Sequence, residues 1–210
     1  MNELDKELIK DFWSVQSLRD TNRWTNRSMI EFETSYLRSY LKSYVEPVSL
    51  LDLGSGSGDL SRPLLRPADR LIAVDFEPNF QRFFDPTDNQ YFQNHNVVNF
   101  LSSDRFDLIL LFGVVTHLTA EEEVRVFSNI KSMLKKSGMA VIKHQVSRGT
   151  EIFLDTNSEE LGCRYQARYP SHSIQTKKLT DTFGFCHIIT YPEIFNKFPE
   201  TMHVAYVVAD

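Results

Sequence analysis

Short apolar runs alternate with amphipathic stretches over residues 47–144. Runs of consecutive apolar residues are typical of parallel strands that are covered on both faces. They predict strands at residues 48–53, 71–75, 106–112 and 138–142, and two further strands at 185–191 and 203–208. Because helical stretches separate several of these runs, the pattern predicts an α/β fold built on a mostly parallel sheet.

The first 46 residues have a helical period instead. Apolar side chains such as Ile9, Phe12, Phe32 and Leu37 recur at three- or four-residue intervals, and the pattern ends before Pro47. We therefore expect a helical cap at 1–46 and one main domain at 47–210, divided into the halves 47–144 and 145–210. The second half has few periodic signals before residue 171, and then a helix is predicted at 173–183, ending at Gly184.

The most informative segment is residues 50–58, LLDLGSGSG, where a buried strand runs into three alternating glycines. Gly54, Gly56 and Gly58 allow a sharp turn and let a ligand approach where a Cβ would collide. A helix is predicted directly afterwards, from about Asp59 to residue 65, and its unpaired N–H groups would point at whatever lies above the loop. This junction predicts a site for a nucleotide cofactor.

The chemistry of the loop indicates which cofactor. A dinucleotide loop reads G-x-G-x-x-G/A, whereas here Asp59 occupies the place of the third small residue. The Asp59 carboxylate would repel a pyrophosphate, and Asp52 adds a second negative charge beside the loop. The Lys-Ser/Thr pair with which a P-loop binds phosphates does not follow. A cofactor that carries positive charge and no phosphate fits better, and S-adenosylmethionine has a sulfonium and an ammonium.

Three further motifs follow in order. Asp75 ends the second strand, where a carboxylate can accept two hydrogen bonds from a ribose cis-diol, and Phe76 would lie beside the adenine. The fourth strand, FDLILLF, is followed by the turn GVVTHL and an amphipathic helix. The fifth strand, GMAVI, comes after LKKS.

With D-x-G-x-G-x-G at residues 52–58, this set resembles the class I S-adenosylmethionine-dependent methyltransferases over residues 48–144. The resemblance implies a Rossmann-like, seven-stranded, mostly parallel sheet with the last strand inserted antiparallel. It implies S-adenosylmethionine as cofactor, S-adenosylhomocysteine as product, and the division of the main domain into a cofactor half and an acceptor-side half. The residues expected at the cofactor are Asp52, Gly54, Ser55, Gly56, Gly58, Asp75, Phe76, Asn96, Phe112 and Gly113.

The adenine edge departs from the family pattern, because residues 93–97 read QNHNV where an acidic turn is common. An asparagine amide can meet an adenine edge, and which side chain does so stays open. Asn96 is our candidate, whereas His95 is better interpreted as a surface histidine.

Acceptor contacts are expected from segments outside the cofactor half, at the carboxyl edge of the sheet. Residues 19–25, 143–169 and 192–203 can reach that edge and are rich in aromatic and polar side chains, which suit a hydroxylated acceptor. The candidates for acceptor binding are Arg23, Trp24, Tyr165, Arg168 and Tyr169. Packing of the cap onto the sheet is the alternative role for the aromatic residues.

The acceptor chemistry rests on a looser resemblance. The order Tyr-Pro, Asn, Phe and Thr-x-His over residues 191–203 is similar to small bacterial methyltransferases that act on sugars or glycan precursors. It implies a hydroxyl or amine acceptor on a small molecule. An alcohol needs a general base at neutral pH, for which a histidine is suited. His144, His117 and His203 are the candidates, and no metal site is expected.

Composition fits this reading. A net charge of −5 and a pI near 5.7 predict no general attraction to nucleic acid. The polar start and the absence of a long apolar run predict a cytoplasmic protein with no signal peptide and no membrane span, and Cys163 and Cys186 are expected to be free thiols. A non-catalytic partner subunit with this fold, and a methyltransferase acting on protein or RNA, remain alternatives. The oligomeric state is open.

Overall fold

The structure is a computed structural model that describes residues 4–18, 27–158 and 162–209. Its helices are α1 (Lys6–Ser17), α2 (Arg27–Leu41), α3 (Ala120–Met133) and α4 (His172–Phe183). Its strands are β1 (Ser49–Leu53), β2 (Arg70–Asp75), β3 (Gln90–Asn94), β4 (Phe106–Phe112), β5 (Leu134–Ser147), β6 (Ile152–Ser158), β7 (Cys163–Tyr169), β8 (Phe185–Thr190) and β9 (Thr201–Ala209). None of the helices in these ranges is long and apolar enough to cross a membrane.

Seven strands form one sheet in the order β3-β2-β1-β4-β5-β9-β8. β1 to β5 pair in parallel with their neighbours, whereas β9 is antiparallel to both β5 and β8. The predicted Rossmann-like sheet with an inserted antiparallel strand is therefore confirmed. The order reverses between β1 and β4, so the carboxyl ends of β1, β2 and β4 meet at one edge, where open α/β sheets bind ligands.

The sheet is covered on both faces, as the apolar runs require. One face packs against α3 and α4, whose apolar stripes include Phe127, Ile130 and Phe183. α3 begins at a capping box in which Thr119 and Glu122 satisfy each other's backbone N–H groups. The other face packs against α2 through Leu37. Helices α1 and α2 lie within the residues predicted to be helical.

The helix predicted after the glycine loop is wrong. Residues 59–65 contain only a single 3₁₀ turn, Arg62–Leu64. Pro63 lies within this turn and Pro67 follows it, and each proline removes a backbone donor that a helix would use. The chain then turns back to β2 through Asp69, whose Oδ1 accepts from the Val48 N–H at 2.7 Å. The glycine loop therefore has no long helix dipole behind it.

A two-stranded hairpin, β6–β7, fills most of the region before residue 171 that has few periodic signals. It packs against α1: the Asp5 N–H donates to Gln166 Oε1 at 2.7 Å, and the Phe12 and Tyr165 rings lie 5.8 Å apart. The hairpin therefore fixes the position of α1. β5 is also longer than predicted, because it continues past the parallel part of the sheet and pairs with β9 as far as Ser147.

Candidate active site

A pocket of about 610 Å³ opens at the carboxyl edge of the sheet. Its walls are the glycine loop after β1, the ends of β2, β4 and β5, and one side of α1 and of α2. The lining includes residues predicted at the cofactor, namely Asp52, Gly54, Ser55, Gly56, Asp75, Phe76, Asn96, Phe112 and Gly113. One predicted cofactor residue, Gly58, is not part of the lining.

The three glycines of the loop have different roles. All have positive φ, the region in which side chains are strained. A Cβ on Gly54 would lie 2.2 Å from Val114 Cγ2, and one on Gly58 would lie 2.7 Å from a Phe84 ring atom. At Gly56, by contrast, the nearest atom would be 4.0 Å away. Only Gly56 therefore leaves room beside the loop, and the predicted collision at the other two is with the protein itself.

Asp75 fixes the loop. Its Oδ2 accepts from the Gly56 N–H and its Oδ1 from the Glu77 N–H, both at 3.0 Å. The side chain is buried, and burial raises the pKa of Asp75 to about 6 despite these hydrogen bonds. A carboxylate has about four lone-pair sites, so two bonds to the backbone leave acceptor capacity toward the pocket. The residue can therefore hold the loop and a ligand diol at once.

Asp52 is the second buried carboxyl group of the pocket. Burial, together with the nearby Asp75, raises the pKa of Asp52 to about 7. A cation placed in the pocket would favour the ionised forms of both acids and lower these pKa values. The electrostatics of this end of the pocket suit a positively charged ligand and oppose a polyphosphate.

We expect Asp52→Asn to stabilise the protein more strongly at pH 8 than at pH 5. Because folding raises the pKa from 3.8 to about 7, the folded state holds the proton more tightly. The wild-type contribution is thus present below pH 4 and is lost as pH rises through about 7. Urea unfolding should show a gain that is about 2–3 kcal/mol larger at pH 8 than at pH 5, because about two pKa units of the shift lie between these pH values. An equal gain at both pH values would contradict the raised pKa.

The adenine-side candidates lie at one end of the same pocket. Phe76 is partly exposed in the lining, and the Asn96 Oδ1 accepts from the Val98 N–H at 2.9 Å. The asparagine oxygen is therefore occupied by its own turn, and its NH₂ group is the part that can meet a base edge. Gly113 has φ of +73°, and its N–H donates to the Lys143 carbonyl, which fixes the turn after β4.

His117 is the one histidine of the three candidates that lines the pocket. Burial, followed by the charge of Lys6, lowers the pKa of His117 to about 4, so the ring is neutral at pH 7. The ring hydrogen-bonds to the backbone of Gln166, and its Nδ1 has no partner within the described part of the chain. Since a carbonyl only accepts, the nitrogen that faces it carries the proton and Nδ1 is an acceptor.

His144 lies away from the pocket. It is 1% exposed and packs beside Tyr206, in the core on the opposite face of the sheet from Lys143. Burial, together with the charges of Arg168 and Lys143, lowers the pKa of His144 to about 3. Adjacent residues of a strand point to opposite faces, which is why Lys143 reaches the pocket and His144 does not.

His203 is also outside the pocket lining, although it lies on the same face of the sheet as Lys143. Burial, together with the charge of Lys143, lowers the pKa of His203 to about 4. Its ring lies 5.9 Å from that of Tyr191, and its backbone pairs with Tyr191 and Asn196.

The predicted acceptor residues of the hairpin serve packing and ion pairing. Arg168 is buried and pairs with Glu123 and Glu151, and its Nε donates to the Leu118 carbonyl at 2.9 Å. Tyr165 packs against Phe12 and His117, and Tyr169 is buried beside it. None of the three hairpin candidates lines the pocket. Arg23 and Trp24 lie outside the described residues.

Several residues that line the pocket were not among the predicted site residues. Trp13 and Lys10 of α1, Glu33 of α2 and Lys143 of β5 all line it. Glu33 could have been found, because it stands four positions from both Met29 and Leu37 on the apolar side of α2. A buried charge at such a position needs a partner and marks a candidate site.

Comparisons with known proteins agree with this geometry. Residues 50–138 match the family model of the methyltransferase domain. No curated protein matches the chain significantly. The chain is similar in structure to 1,6-didemethyltoxoflavin-N1-methyltransferase from Burkholderia thailandensis, solved with 1,6-didemethyltoxoflavin and S-adenosylhomocysteine. That match has a TM-score of 0.71 at 18% identity and covers 100% of this chain and 93% of the other.

Two further solved structures are similar. The DhpI-SAM-HEP complex matches with a TM-score of 0.68 at 15% identity, over 97% of this chain and 99% of the other. The glycopeptide N-methyltransferase MtfA with S-adenosylmethionine matches with a TM-score of 0.63 at 14% identity, over 85% and 94%. At such identities the likeness concerns the fold. The chain therefore has the Rossmann-like methyltransferase fold, and the match to the family model lies within it, at residues 50–138.

Proposed function

We propose that the protein is an S-adenosylmethionine-dependent methyltransferase that acts on a nitrogen or a hydroxyl of a small molecule, with a sugar or glycan precursor as the expected class. The observation that carries the proposal is the continuity of the pocket. It runs from the loop and carboxylate expected to hold the cofactor to a second region between α1, α2 and the end of β5. Cofactor and acceptor would meet within one cavity.

The residues present fit the cofactor. Gly56 leaves open space beside the loop, and Asp75 keeps acceptor capacity for a ribose diol. Asp52 and Asp75 give the pocket negative character, which suits a sulfonium and an ammonium. When bound, S-adenosylmethionine supplies an electrophilic methyl group. The protein's part is to hold the acceptor atom in line with that group and to keep water out, and such positioning accounts for most of the rate.

The state of His117 favours a nitrogen acceptor over an alcohol. A general base works best when its pKa lies near the operating pH, and the pKa of His117 is lowered to about 4. Such a ring accepts a hydrogen bond but takes a proton from an alcohol poorly. A neutral nitrogen needs no prior deprotonation. Two of the similar structures are named as N-methyltransferases, which supports the same choice.

Cofactor binding tests the proposal directly. Isothermal titration calorimetry should show binding of S-adenosylhomocysteine and no comparable binding of NAD, because Asp52 and Asp59 oppose a pyrophosphate in this pocket. Mass spectrometry after incubation with S-adenosylmethionine and a panel of amines, sugars and glycan fragments would then identify the acceptor. Preferential NAD binding would refute the proposal. Cofactor binding without any product would favour the non-catalytic alternative.

A substitution of His117 separates the two acceptor classes. With a nitrogen acceptor, His117→Ala should lower kcat by less than about tenfold and leave the Kd of S-adenosylhomocysteine unchanged. His187→Ala is the matched control, since His187 is exposed on β8. A loss of roughly 10²–10⁴-fold that is partly restored at high pH would instead identify His117 as the general base for a hydroxyl.

A further inference from the structure

Two opposite charges face each other in the wall of the acceptor region. Glu33 is 4% exposed, and its Oε1 lies 3.2 Å from Lys143 Nζ. The Tyr191 hydroxyl donates to the same Glu33 oxygen at 2.8 Å, and the hydroxyls of Tyr36 and Tyr191 lie 3.1 Å apart. Both charged residues line the pocket. The pair therefore has a fixed geometry before any ligand arrives.

The pair retains hydrogen-bonding capacity toward the pocket. Within the described part of the chain, Lys143 Nζ lies 3.2 Å from Glu33 Oε1 and 3.5 Å from Met29 Sδ. An ammonium group has three N–H donors, so one donor is left over. The hydrogen bonds of Glu33 fall on Oε1, and its second oxygen has none among the described residues. One donor and one acceptor therefore remain close together.

The charge of the pair limits what it can bind. A carboxylate and an ammonium at this distance cancel each other, so neither an anion nor a cation gains a full opposite charge. If one member of the pair is removed, the other becomes an uncompensated buried charge, and a ligand of opposite charge then binds to it more strongly. A neutral group that donates one hydrogen bond and accepts another matches both members without disturbing their attraction. Trp13 lines the same pocket and offers an aromatic surface to the rest of such a molecule.

We propose that Glu33 and Lys143, held by Tyr191, form the acceptor-binding subsite and select an uncharged acceptor with a neighbouring hydrogen-bond donor and acceptor, such as an amide or a lactam-like ring. The proposal rests on the proposed function, because it assigns the acceptor region of the same pocket. It names a substrate class, and in it Glu33 and Lys143 bind and orient the acceptor.

Three matched aromatic probes test the subsite without an identified acceptor. Benzamide, benzylamine and benzoate share a ring and differ in charge, and ligand-observed NMR can rank their binding to protein saturated with S-adenosylhomocysteine. Wild type should bind benzamide best. Glu33→Gln should raise benzoate binding by about tenfold or more, because Lys143 loses its partner, and Lys143→Met should do the same for benzylamine.

Control variants change the net charge by the same amount elsewhere. Glu31→Gln alters an exposed residue of α2, and Lys177→Met alters an exposed residue of α4, and both should keep the wild-type ranking. The double variant Glu33→Gln/Lys143→Met leaves no unpaired charge and should again prefer benzamide. If a single variant fails to fold, the double variant still tests the subsite, because loss of the Lys143 donor should lower its affinity for benzamide below that of wild type.

The outcomes separate the two proposals. If S-adenosylhomocysteine does not bind wild type, the proposed function fails before any probe is added. If it binds, but the single variants keep the wild-type ranking or no probe binds, the subsite is overturned. Opposite shifts for benzoate and benzylamine in the two single variants, with unchanged controls, would support it.

Discussion

Asp75→Ala should weaken the binding of S-adenosylhomocysteine by roughly 10²–10⁴-fold. A hydrogen bond to a charged group contributes about 1.5–3 kcal/mol, and a ribose diol would make two such bonds to this carboxylate. The variant also removes the acceptor of the Gly56 N–H, so the loop loses its anchor. Calorimetry on the folded variant measures the effect directly.

Asp75→Asn is the matched control for this loss. It keeps the shape of the side chain and one acceptor oxygen but replaces the other oxygen with a donor, so an intermediate affinity is expected. Circular dichroism of both variants would show that the sheet is intact. Unchanged affinity in a folded Asp75→Ala protein would mean that the carboxylate does not hold the ribose.

Gly54→Ala should lower the free energy of unfolding by about 3 kcal/mol. The new Cβ would lie 2.2 Å from Val114 Cγ2, and the residue would keep a φ of +74°. Overpacking costs about 1–3 kcal/mol and a left-handed backbone at a non-glycine residue costs about 1 kcal/mol or more. For a chain of this size the midpoint of thermal unfolding should fall by about 6–12 °C.

Comparison with Gly113→Ala separates the steric clash at Gly54 from the cost of backbone strain. Gly113 has nearly the same φ, +73°, but a Cβ there would meet nothing within 4 Å. The substitution should therefore cost only the backbone strain, about 1 kcal/mol. Equal destabilisation by the two variants would show that contact with Val114 is unimportant and that strain alone requires the glycines.

Prediction from sequence succeeded where the signal is local. Each central strand is a run of consecutive apolar residues, and such a run is buried along its whole length only in a sheet covered on both faces. β4 begins and ends at the predicted residues. The acid at the end of β2 and the glycines after β1 are fixed by short-range geometry, since the backbone must turn immediately after the strand. Their spacing was therefore informative without any knowledge of the rest of the fold.

The wrong or missing predictions concern segments whose local sequence allows more than one structure. The packing of the whole fold decides between those structures. Residues 59–65 contain enough apolar positions for a helix, but Pro63 and the short return to β2 at Arg70 leave room for one 3₁₀ turn. The β6–β7 hairpin has weak alternation, because its β7 face is buried by α1 while β6 stays largely exposed. Its stability comes from a partner more than 100 positions away.

The sequence by itself determined six of the seven sheet strands, the order of the motifs and the glycine-loop end of the pocket, because each depends on residues close together in the chain. Only the tertiary structure decided the other end of the pocket, between α1, α2 and the end of β5. It places Glu33 of α2 against Lys143 of β5 and seals His144 in the core one residue further on. The alternation of side chains along β5 and the docking of α1 and α2 set that arrangement, and both depend on contacts between distant segments.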